Sequence, residues 1–262
     1  MTRIKNKFDE LSSNNTKALI TYIVAGDPDL NTTLDVMNCM VAEGTDIIEI
    51  GIPFSDPMAE GISIQRGHER ALSNNVSIKD ALNLTSEFRK TNQITPIVFM
   101  GYMNTFESMG VKQFCKEASN NGVDGILIVD MPPEESAEFS KEAKSNGIDV
   151  IRLIAPTTDL SRAKEICSLS SGYVYYISVK GITGSNDLDS EDVKKRVELL
   201  SNETDLPIAI GFGIKDSNSA LSVKELADGI VVGSVFVDLI GEGGDTISKI
   251  SKKTKELFLA IK

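Results

Sequence analysis

The fold is decided by residues 18–50, which read ALITYIVAGDPDLNTTLDVMNCMVAEGTDIIEI. Two short β-branched apolar runs, Ala18–Val24 and Asp46–Ile50, flank a longer segment with a helical pattern. The apolar residues of that segment recur at intervals of three and four, at Leu30, Leu34, Met37 and Val41. Nearly continuous apolar runs are typical of parallel strands buried on both faces, and a crossover helix joins such strands. The stretch therefore predicts one β-α-β unit.

The same unit recurs along the rest of the chain. Six further strand-like runs follow, at Pro96–Met100, Gly125–Val129, Asp149–Ile154, Tyr173–Ser178, Pro207–Ile210 and Gly229–Val232. A leading helix is indicated by the spacing of Ile4, Phe8 and Leu11. Eight βα units in about 250 residues predict a (β/α)8 TIM barrel with an extra N-terminal helix, as a single domain over residues 1–262. The alternative is a doubly wound open sheet, but no GxGxxG turn follows the first strand.

Composition excludes several classes of protein. The 262 residues include 38 acidic and 27 basic side chains, for a net charge of −11, which disfavours nucleic acid or an anionic membrane as a partner. Three widely spaced cysteines without a CxxC pair indicate a reducing compartment, and one histidine offers no zinc ligand set. These few cysteine and histidine side chains lead us to expect no metal site. Because no apolar stretch approaches the ~18 residues that span a bilayer, we also expect a cytoplasmic protein.

Glycines at the ends of the last three strands predict a phosphate site. Barrel active sites lie at the C-terminal ends of the strands, and phosphate is often held by the loops after strands 7 and 8. Strand 7 ends in Ile210-Gly211-Phe212-Gly213, strand 8 ends in Val232-Gly233-Ser234, and Gly184 lies in the loop after strand 6. Glycine lets backbone N–H groups approach an anion. The alternative is that these glycines serve only tight turns.

Glu49 is the first candidate for proton transfer. It shares a strand face with Ile47, so its carboxylate is desolvated whether it points into the barrel or outward under a helix. Desolvation raises the pKa of a carboxyl group toward neutrality, which suits acid–base catalysis. A structural ion pair is the alternative.

Three further side chains have two candidate roles each. Glu60, in the loop of residues 51–61, is either a second carboxylate of the site or a solvated charge. Tyr175 of strand 6 either contacts the substrate or a carboxylate, or packs in the core, and His68 is expected at the surface or behind the site.

Two carboxyl groups and a phosphate cradle point to isomerisation, epimerisation or aldol-type cleavage of a sugar-phosphate-like substrate.

A long motif surrounds Glu49: Ile48-Glu49-Ile50-Gly51-Ile52-Pro53-Phe54-Ser55-Asp56-Pro57, followed by Met58-Ala59-Glu60-Gly61. It resembles the signature of the tryptophan synthase α subunit family. Shorter motifs occur in that family's order along essentially the whole chain, at Ala25–Pro28, Gly101–Asn104, Asp130–Glu135, Ala155–Thr157, Gly181–Gly184, Gly211–Ile214 and Gly233–Ser234.

The resemblance implies retro-aldol cleavage of indole-3-glycerol phosphate to indole and glyceraldehyde 3-phosphate. In the family, the residue matching Glu49 protonates C3 of the indole, an acid matching Glu60 stabilises positive charge at the indole nitrogen, and a tyrosine matching Tyr175 helps to position the reacting groups. A threonine matching Thr183 orders the loop over the site. Phosphate is held by backbone at positions matching Gly184, Gly213, Gly233 and Ser234. The indole is sandwiched by residues matching Tyr22, Met100, Leu127, Leu153 and Phe212.

The resemblance also implies a partner, the pyridoxal-phosphate-dependent β subunit, in an α2β2 complex that receives the indole. This chain is expected to need no cofactor, and Pro53, Asp56 and Asn104 are expected near the interface.

Two residues depart from the family pattern, since Glu60 replaces an aspartate and Ile62 replaces a proline. A carboxylate displaced by roughly 1 Å can cost about 10²-fold in rate. A non-catalytic regulatory subunit therefore stays open as an alternative. A second alternative is another sugar-phosphate barrel, an isomerase or epimerase whose site uses the same phosphate turns.

Overall fold

The computed structural model describes residues 2–177, 187–211 and 213–262. Its eight strands are β1 Ala18–Val24, β2 Ile47–Gly51, β3 Ile97–Gly101, β4 Gly125–Ile128, β5 Asp149–Ile154, β6 Val174–Ile177, β7 Ile208–Gly211 and β8 Gly229–Val232. All pairs are parallel, neighbours in sequence are neighbours in the sheet, and β8 pairs with β1. The predicted closed barrel is confirmed, and each strand boundary lies within one residue of its predicted position.

Helices surround the barrel. In the described ranges they are α1 Arg3–Ser13, α2 Leu30–Ala42, α3 Ile62–Ser73, α4 Ile78–Arg89, α5 Met103–Glu107, α6 Val111–Asn120, α7 Ala137–Ser145, α8 Leu160–Ser168, α9 Asp187–Ser201, α10 Ser217–Leu221, α11 Ser234–Gly241 and α12 Thr246–Ile261. A 3₁₀ turn covers Pro133–Glu135. Within these ranges, no helix combines the length and the apolarity needed to cross a membrane.

Side chains that alternate along the strands fill the barrel interior. One buried cluster contains residues from the inner faces, among them Ala18, Ile20, Ile47, Val98, Leu127, Ile151, Tyr173, Ala209 and Val231. The predicted leading helix α1 joins this cluster through Ile4, Phe8 and Leu11. The ring centroid of Phe8 lies 5.7 Å from that of Tyr173, just before β6 begins. Helix α1 therefore closes the N-terminal end of the barrel.

The outer strand faces pack against the helices. In α2, the residues that are buried against the barrel differ from the predicted ones. The buried residues of α2 are Thr33, Val36, Met37 and Met40. Of the predicted stripe, only Met37 is fully buried; Leu30, Leu34 and Val41 flank it as partly buried residues. Thr33 is buried although polar, because its hydroxyl donates to the Asp29 carbonyl at 2.8 Å and accepts from the Gly26 N–H at 3.1 Å. Both hydrogen bonds tie α2 to the loop after β1.

Aspartates immediately before strands join the strand starts at the N-terminal end. Their carboxylates accept hydrogen bonds, at 2.8–2.9 Å, from backbone N–H groups at or near the start of β1, β3 and β7: Asp46, Asp124 and Asp228. Asp124 is also paired with Arg89 at 2.7 Å and with Arg3 of α1 at 2.8 Å. Arg89 is buried, and burial lowers its pKa to about 10. This end of the barrel is therefore held by a buried ionic network.

Candidate active site

Glu49 lies inside the barrel near the C-terminal ends of the strands. In the strand register it is paired with Tyr22 of β1 and with Val98 of β3, and its side chain is 1% exposed. Ile47, two residues earlier on the same face, belongs to the interior cluster. Of the two directions that the sequence left open, the structure shows the inward one.

The two carboxylate oxygens of Glu49 have different surroundings. The Tyr173 hydroxyl donates a hydrogen bond to Oε1, whereas Oε2 is buried with no hydrogen-bond partner among the described residues. Burial raises the pKa of Glu49 to about 7, and the hydrogen bond from Tyr173 opposes part of this rise. The carboxyl group can therefore gain and lose a proton near neutral pH, and it has one oxygen open for the transfer.

The tyrosine that contacts Glu49 was not singled out from the sequence. Tyr175 was the predicted candidate, and it is partly buried on the same strand face, two residues after Tyr173. Its phenol lies over β7, where a Cβ added to Gly211 would stand 2.0 Å from the Tyr175 oxygen. Burial, and then the nearby charge of Glu49, raise the pKa of Tyr175. Strand alternation places both tyrosines on the inner face, but it does not show which of them reaches Glu49.

Glu60 is half-buried and is held by a tyrosine. The Tyr102 hydroxyl donates to Glu60 Oε2 and accepts from the Ala59 N–H at 3.0 Å. The Tyr102 ring is stacked on Phe54, with centroids 4.8 Å apart. Burial raises the pKa of Glu60, and the hydrogen bond from Tyr102 opposes this. Of the two roles considered for Glu60, this geometry favours a carboxylate of the site over a solvated loop charge.

Tyr22 and His68 meet beside the loop after β2. Tyr22 is 3% exposed, and its oxygen lies 3.4 Å from His68 Nε2. The Phe54 N–H donates to His68 Nδ1 at 3.2 Å. His68 is 2% exposed, and burial lowers its pKa to about 4, so the ring is neutral at pH 7. Of the two placements expected for His68, the structure shows the one behind the site residues.

An apolar wall lies beside the carboxylates. Leu127 is fully buried in the interior cluster, and Met100 and Leu153 pack against that cluster while partly exposed. Met100 also packs against the cluster that contains Tyr22. Apolar side chains with a few convergent polar groups are typical of small-molecule sites. Three other predicted substrate-binding residues lie outside the described residues: Thr183, Gly184 and Phe212.

The predicted phosphate turns are formed by backbone. Gly213 has a φ of +77°, a conformation that favours glycine. Gly233 is the N-cap of α11, and Ser234 is its first residue. No side chain of the described residues caps this helix, so N–H groups of its first turn are left to bind an anion, which the helix dipole also favours. Gly233 adjoins Tyr22, since an added Cβ would lie 3.2 Å from the Tyr22 Cβ.

The residues predicted at a partner interface differ in exposure. Asp56 and Asn104 are exposed, whereas Pro53 is buried. Two large apolar residues of the same region are unusually open to solvent, Met58 at 84% and Ile62 at 67%. Among the described residues, no group of three or more His, Cys, Asp or Glu side chains is arranged to hold a metal ion.

Comparisons with known proteins identify the family. The family described as "Tryptophan synthase alpha chain" matches residues 8–261. The tryptophan synthase alpha chain of Nitrosomonas europaea is 45% identical over 263 residues, covering 100% of this chain and 96% of the relative. That of Thiobacillus denitrificans is 49% identical over 240 residues, covering 92% and 88%.

Solved structures agree with the sequence comparisons. The tryptophan synthase subunit alpha of Legionella pneumophila is 37% identical, with a TM-score of 0.92 over 100% of this chain and 98% of that one. A chain of the tryptophan synthase a2b2 complex from Pyrococcus furiosus is 38% identical, with a TM-score of 0.85 over 92% and 98%. The chain therefore belongs to the tryptophan synthase alpha chain family.

Proposed function

We infer that this protein cleaves indole-3-glycerol phosphate to indole and glyceraldehyde 3-phosphate, the reaction of its family. The observation that carries the assignment of this chemistry to the site is Glu49. It is a buried carboxyl group with a pKa of about 7, and one of its oxygens has no hydrogen-bond partner among the described residues. It lies near the C-terminal ends of the strands, where helix α11 begins at Gly233.

The reaction needs two proton movements and no external reagent. Glu49 donates a proton to C3 of the indole, which turns that carbon into a leaving group. The bond between C3 and the glycerol chain then breaks, and its electron pair restores the aromatic indole. The hydroxyl on the departing carbon becomes the aldehyde oxygen and returns its proton to Glu49. Substrate and products balance, and the carboxyl group ends in its starting state.

Positive charge develops on the indole ring when C3 is protonated, and we assign Glu60 to stabilise it at the ring nitrogen. The hydrogen bond from Tyr102 holds the Glu60 carboxylate in one place. Tyr175 is assigned to position the reacting groups beside Glu49. Tyr22, Met100, Leu127 and Leu153 supply the apolar surface against which a flat ring packs.

Phosphate binding is assigned to the backbone at Gly213, Gly233 and Ser234. A site made of backbone N–H groups holds one phosphate monoester locally, although the whole chain carries a net charge of −11. The scheme draws only on carboxyl, phenol and backbone groups of this chain, so we infer that it needs no cofactor of its own.

The partner in this proposal is a tryptophan synthase β subunit in an α2β2 complex, as in the a2b2 complex of the Pyrococcus furiosus relative. The pyridoxal phosphate of the coupled reaction belongs to that partner. Asp56, Asn104 and the exposed side chains of Met58 and Ile62 lie around the active-site loops, where a docked subunit would receive the indole.

The decisive variant is Glu49→Gln, which keeps the shape of the side chain and its bond to Tyr173 but removes the exchangeable proton. We expect indole release from indole-3-glycerol phosphate to fall at least about 10³-fold, because Glu49 is the group that donates to C3 in this scheme. Glycerol 3-phosphate should bind to the variant as it binds to the wild type, measured by calorimetry.

The matched control is Glu225→Gln, which changes an exposed glutamate four residues before β8, on the N-terminal side of that strand, and should retain full activity. Substantial turnover by Glu49→Gln would remove Glu49 from this role. If the wild-type chain with its β subunit released no indole, the isomerase or epimerase alternative would replace the proposal.

A further inference from the structure

The reaction scheme uses the ring of Tyr22 but leaves its hydroxyl group, and all of His68, without a task. Both side chains are almost completely buried, at 3% and 2% exposure. A buried imidazole in contact with a buried phenol at an active site is costly to desolvate, so its hydrogen bonds are informative about its role.

The hydrogen-bond pattern assigns the tautomer of His68. Nδ1 accepts the Phe54 N–H at 3.2 Å, so this nitrogen carries no proton. The remaining N–H of the ring must then be on Nε2, which donates to the Tyr22 oxygen at 3.4 Å. Because the Tyr22 oxygen accepts from His68, the hydroxyl hydrogen of Tyr22 is left to donate to another group.

The course of the Tyr22 side chain shows where that hydrogen is available. Its Cβ lies beside the phosphate turn, 3.2 Å from a Cβ added to Gly233. Its oxygen lies beside the end of β2, 2.0 Å from a Cβ added to Gly51. Glu49 is the cross-strand neighbour of Tyr22 in the register. The side chain thus runs from the turn at Gly233 to the end of β2, where its oxygen lies beside Gly51, two residues after Glu49 on the same strand face.

The glycerol chain of the substrate has to connect the same two points, since its phosphate lies at the turn and its cleaved carbon lies at Glu49. We propose that the Tyr22 hydroxyl donates a hydrogen bond to the oxygen that becomes the aldehyde oxygen, and that His68 is the positioning residue that holds the phenol for this contact. The proposal rests on the function proposed above. A donor at that oxygen stabilises the negative charge that develops as Glu49 removes its proton.

The first test is Tyr22→Phe, assayed as indole release by the chain with its β subunit. This variant keeps the apolar ring against the indole and removes only the donor. We expect kcat to fall about tenfold, with KM within about threefold of the wild-type value, because the contact strengthens as the bond breaks. An unchanged kcat would overturn the proposal, provided that the wild-type chain releases indole; a wild-type chain that does not would instead refute the proposed function.

Two substitutions of His68 separate positioning from simple loop support. His68→Gln places an amide N–H near the former Nε2, so it can still donate to Tyr22. His68→Asn places an acceptor near the former Nδ1, so it still holds the Phe54 N–H but loses Tyr22. We expect His68→Asn to slow kcat as much as Tyr22→Phe does, and His68→Gln to stay close to wild type.

The reverse order would mean that His68 only supports the loop, and it would refute the positioning role. In a Tyr22→Phe background, His68→Asn should lower kcat no further, because both changes remove the same contact. Urea unfolding of each purified variant checks that it is folded. If the His68 variants do not fold, Tyr22→Phe alone decides the proposal through its kcat.

Discussion

Glu49 carries its proton more tightly in the folded chain than in the unfolded one. Its pKa is raised from 4.5 to about 7, chiefly by burial. A group of this kind contributes stability that is fully present below about pH 4.5 and is lost as the pH rises through about 7. At alkaline pH the protein therefore contains a buried charge that it does not contain at acidic pH.

Replacing Glu49 by glutamine should remove this dependence. The free energy of unfolding of Glu49→Gln, relative to wild type, should increase by about 3 kcal/mol between pH 4.5 and pH 8. Urea unfolding at several pH values measures it. The control Glu225→Gln changes an exposed carboxyl group, and its difference from wild type should stay within about 0.5 kcal/mol over the same range. If the difference in the free energy of unfolding between Glu49→Gln and wild type did not change with pH, burial would not be raising the pKa of Glu49.

Single residues also show which features of the site can be predicted from the sequence and which cannot. A glutamate inside an apolar strand is recognisable as desolvated, and this prediction is confirmed for Glu49. Its contact with Tyr173 joins residues 124 positions apart, so no local pattern contains it. The contacts of His68 likewise join it to Tyr22 and to the Phe54 N–H, which lie on different elements.

Among the structural elements, the loop between β2 and α3 determines whether Glu60 is a suitable replacement for aspartate. The longer side chain reaches the Tyr102 hydroxyl, and Gln65 Nε2 donates to the Glu60 carbonyl at 2.8 Å. Only the first of these two contacts involves the glutamate side chain, since the second is made to the main chain. Here Ile62, in place of the family's proline, begins α3 and is exposed.

Glu60→Asp should lower turnover in this protein although it restores the family's residue. A side chain shorter by one methylene group withdraws the carboxylate by roughly 1 Å from Tyr102, and we expect kcat to fall about 10- to 100-fold. Steady-state indole release measures it, with Glu225→Asp as the control. A higher kcat in Glu60→Asp would favour the regulatory-subunit alternative instead.

At the level of elements, most of the architecture was predictable because each βα unit is a local pattern. The apolar run of a strand and the three-to-four spacing of a helix are both visible within about 20 residues, and the strands begin and end close to the predicted residues. The buried stripe of α2 is displaced from the predicted one because Thr33 is buried through its hydrogen bonds to the loop after β1. Those bonds are tertiary contacts, which spacing alone does not show.

In the whole molecule, stability and chemistry are concentrated at opposite ends of the barrel. The N-terminal end has α1 and the network of Asp124 with Arg3 and Arg89. The C-terminal end has Glu49 and Glu60. In TIM barrels, residues of the first end are expected to govern stability and residues of the second end to govern activity.

Asp124→Asn tests this separation. The change leaves the buried guanidinium of Arg89 without its charged partner, so the free energy of unfolding should fall by about 3–5 kcal/mol. In the folded variant, kcat/KM should stay within about twofold of wild type, well below the unfolding temperature. The control is Glu87→Gln, which breaks the exposed Lys90 pair and should cost less than about 1 kcal/mol. Stability and activity would not be separated between the two ends of the barrel if both variants lost the same free energy of unfolding. The same would follow if folded Asp124→Asn were inactive.

Helix α1 also has a consequence for the path that the substrate and the products take. Phe8 and its neighbours on α1 pack against the interior cluster at the N-terminal end of the barrel, whereas Glu49 and Glu60 lie toward the opposite end. The route of the substrate and the products to Glu49 is therefore expected at the C-terminal ends of the strands, the face that also carries Asp56 and Asn104. A protein docked on that face would lie across the route by which products leave.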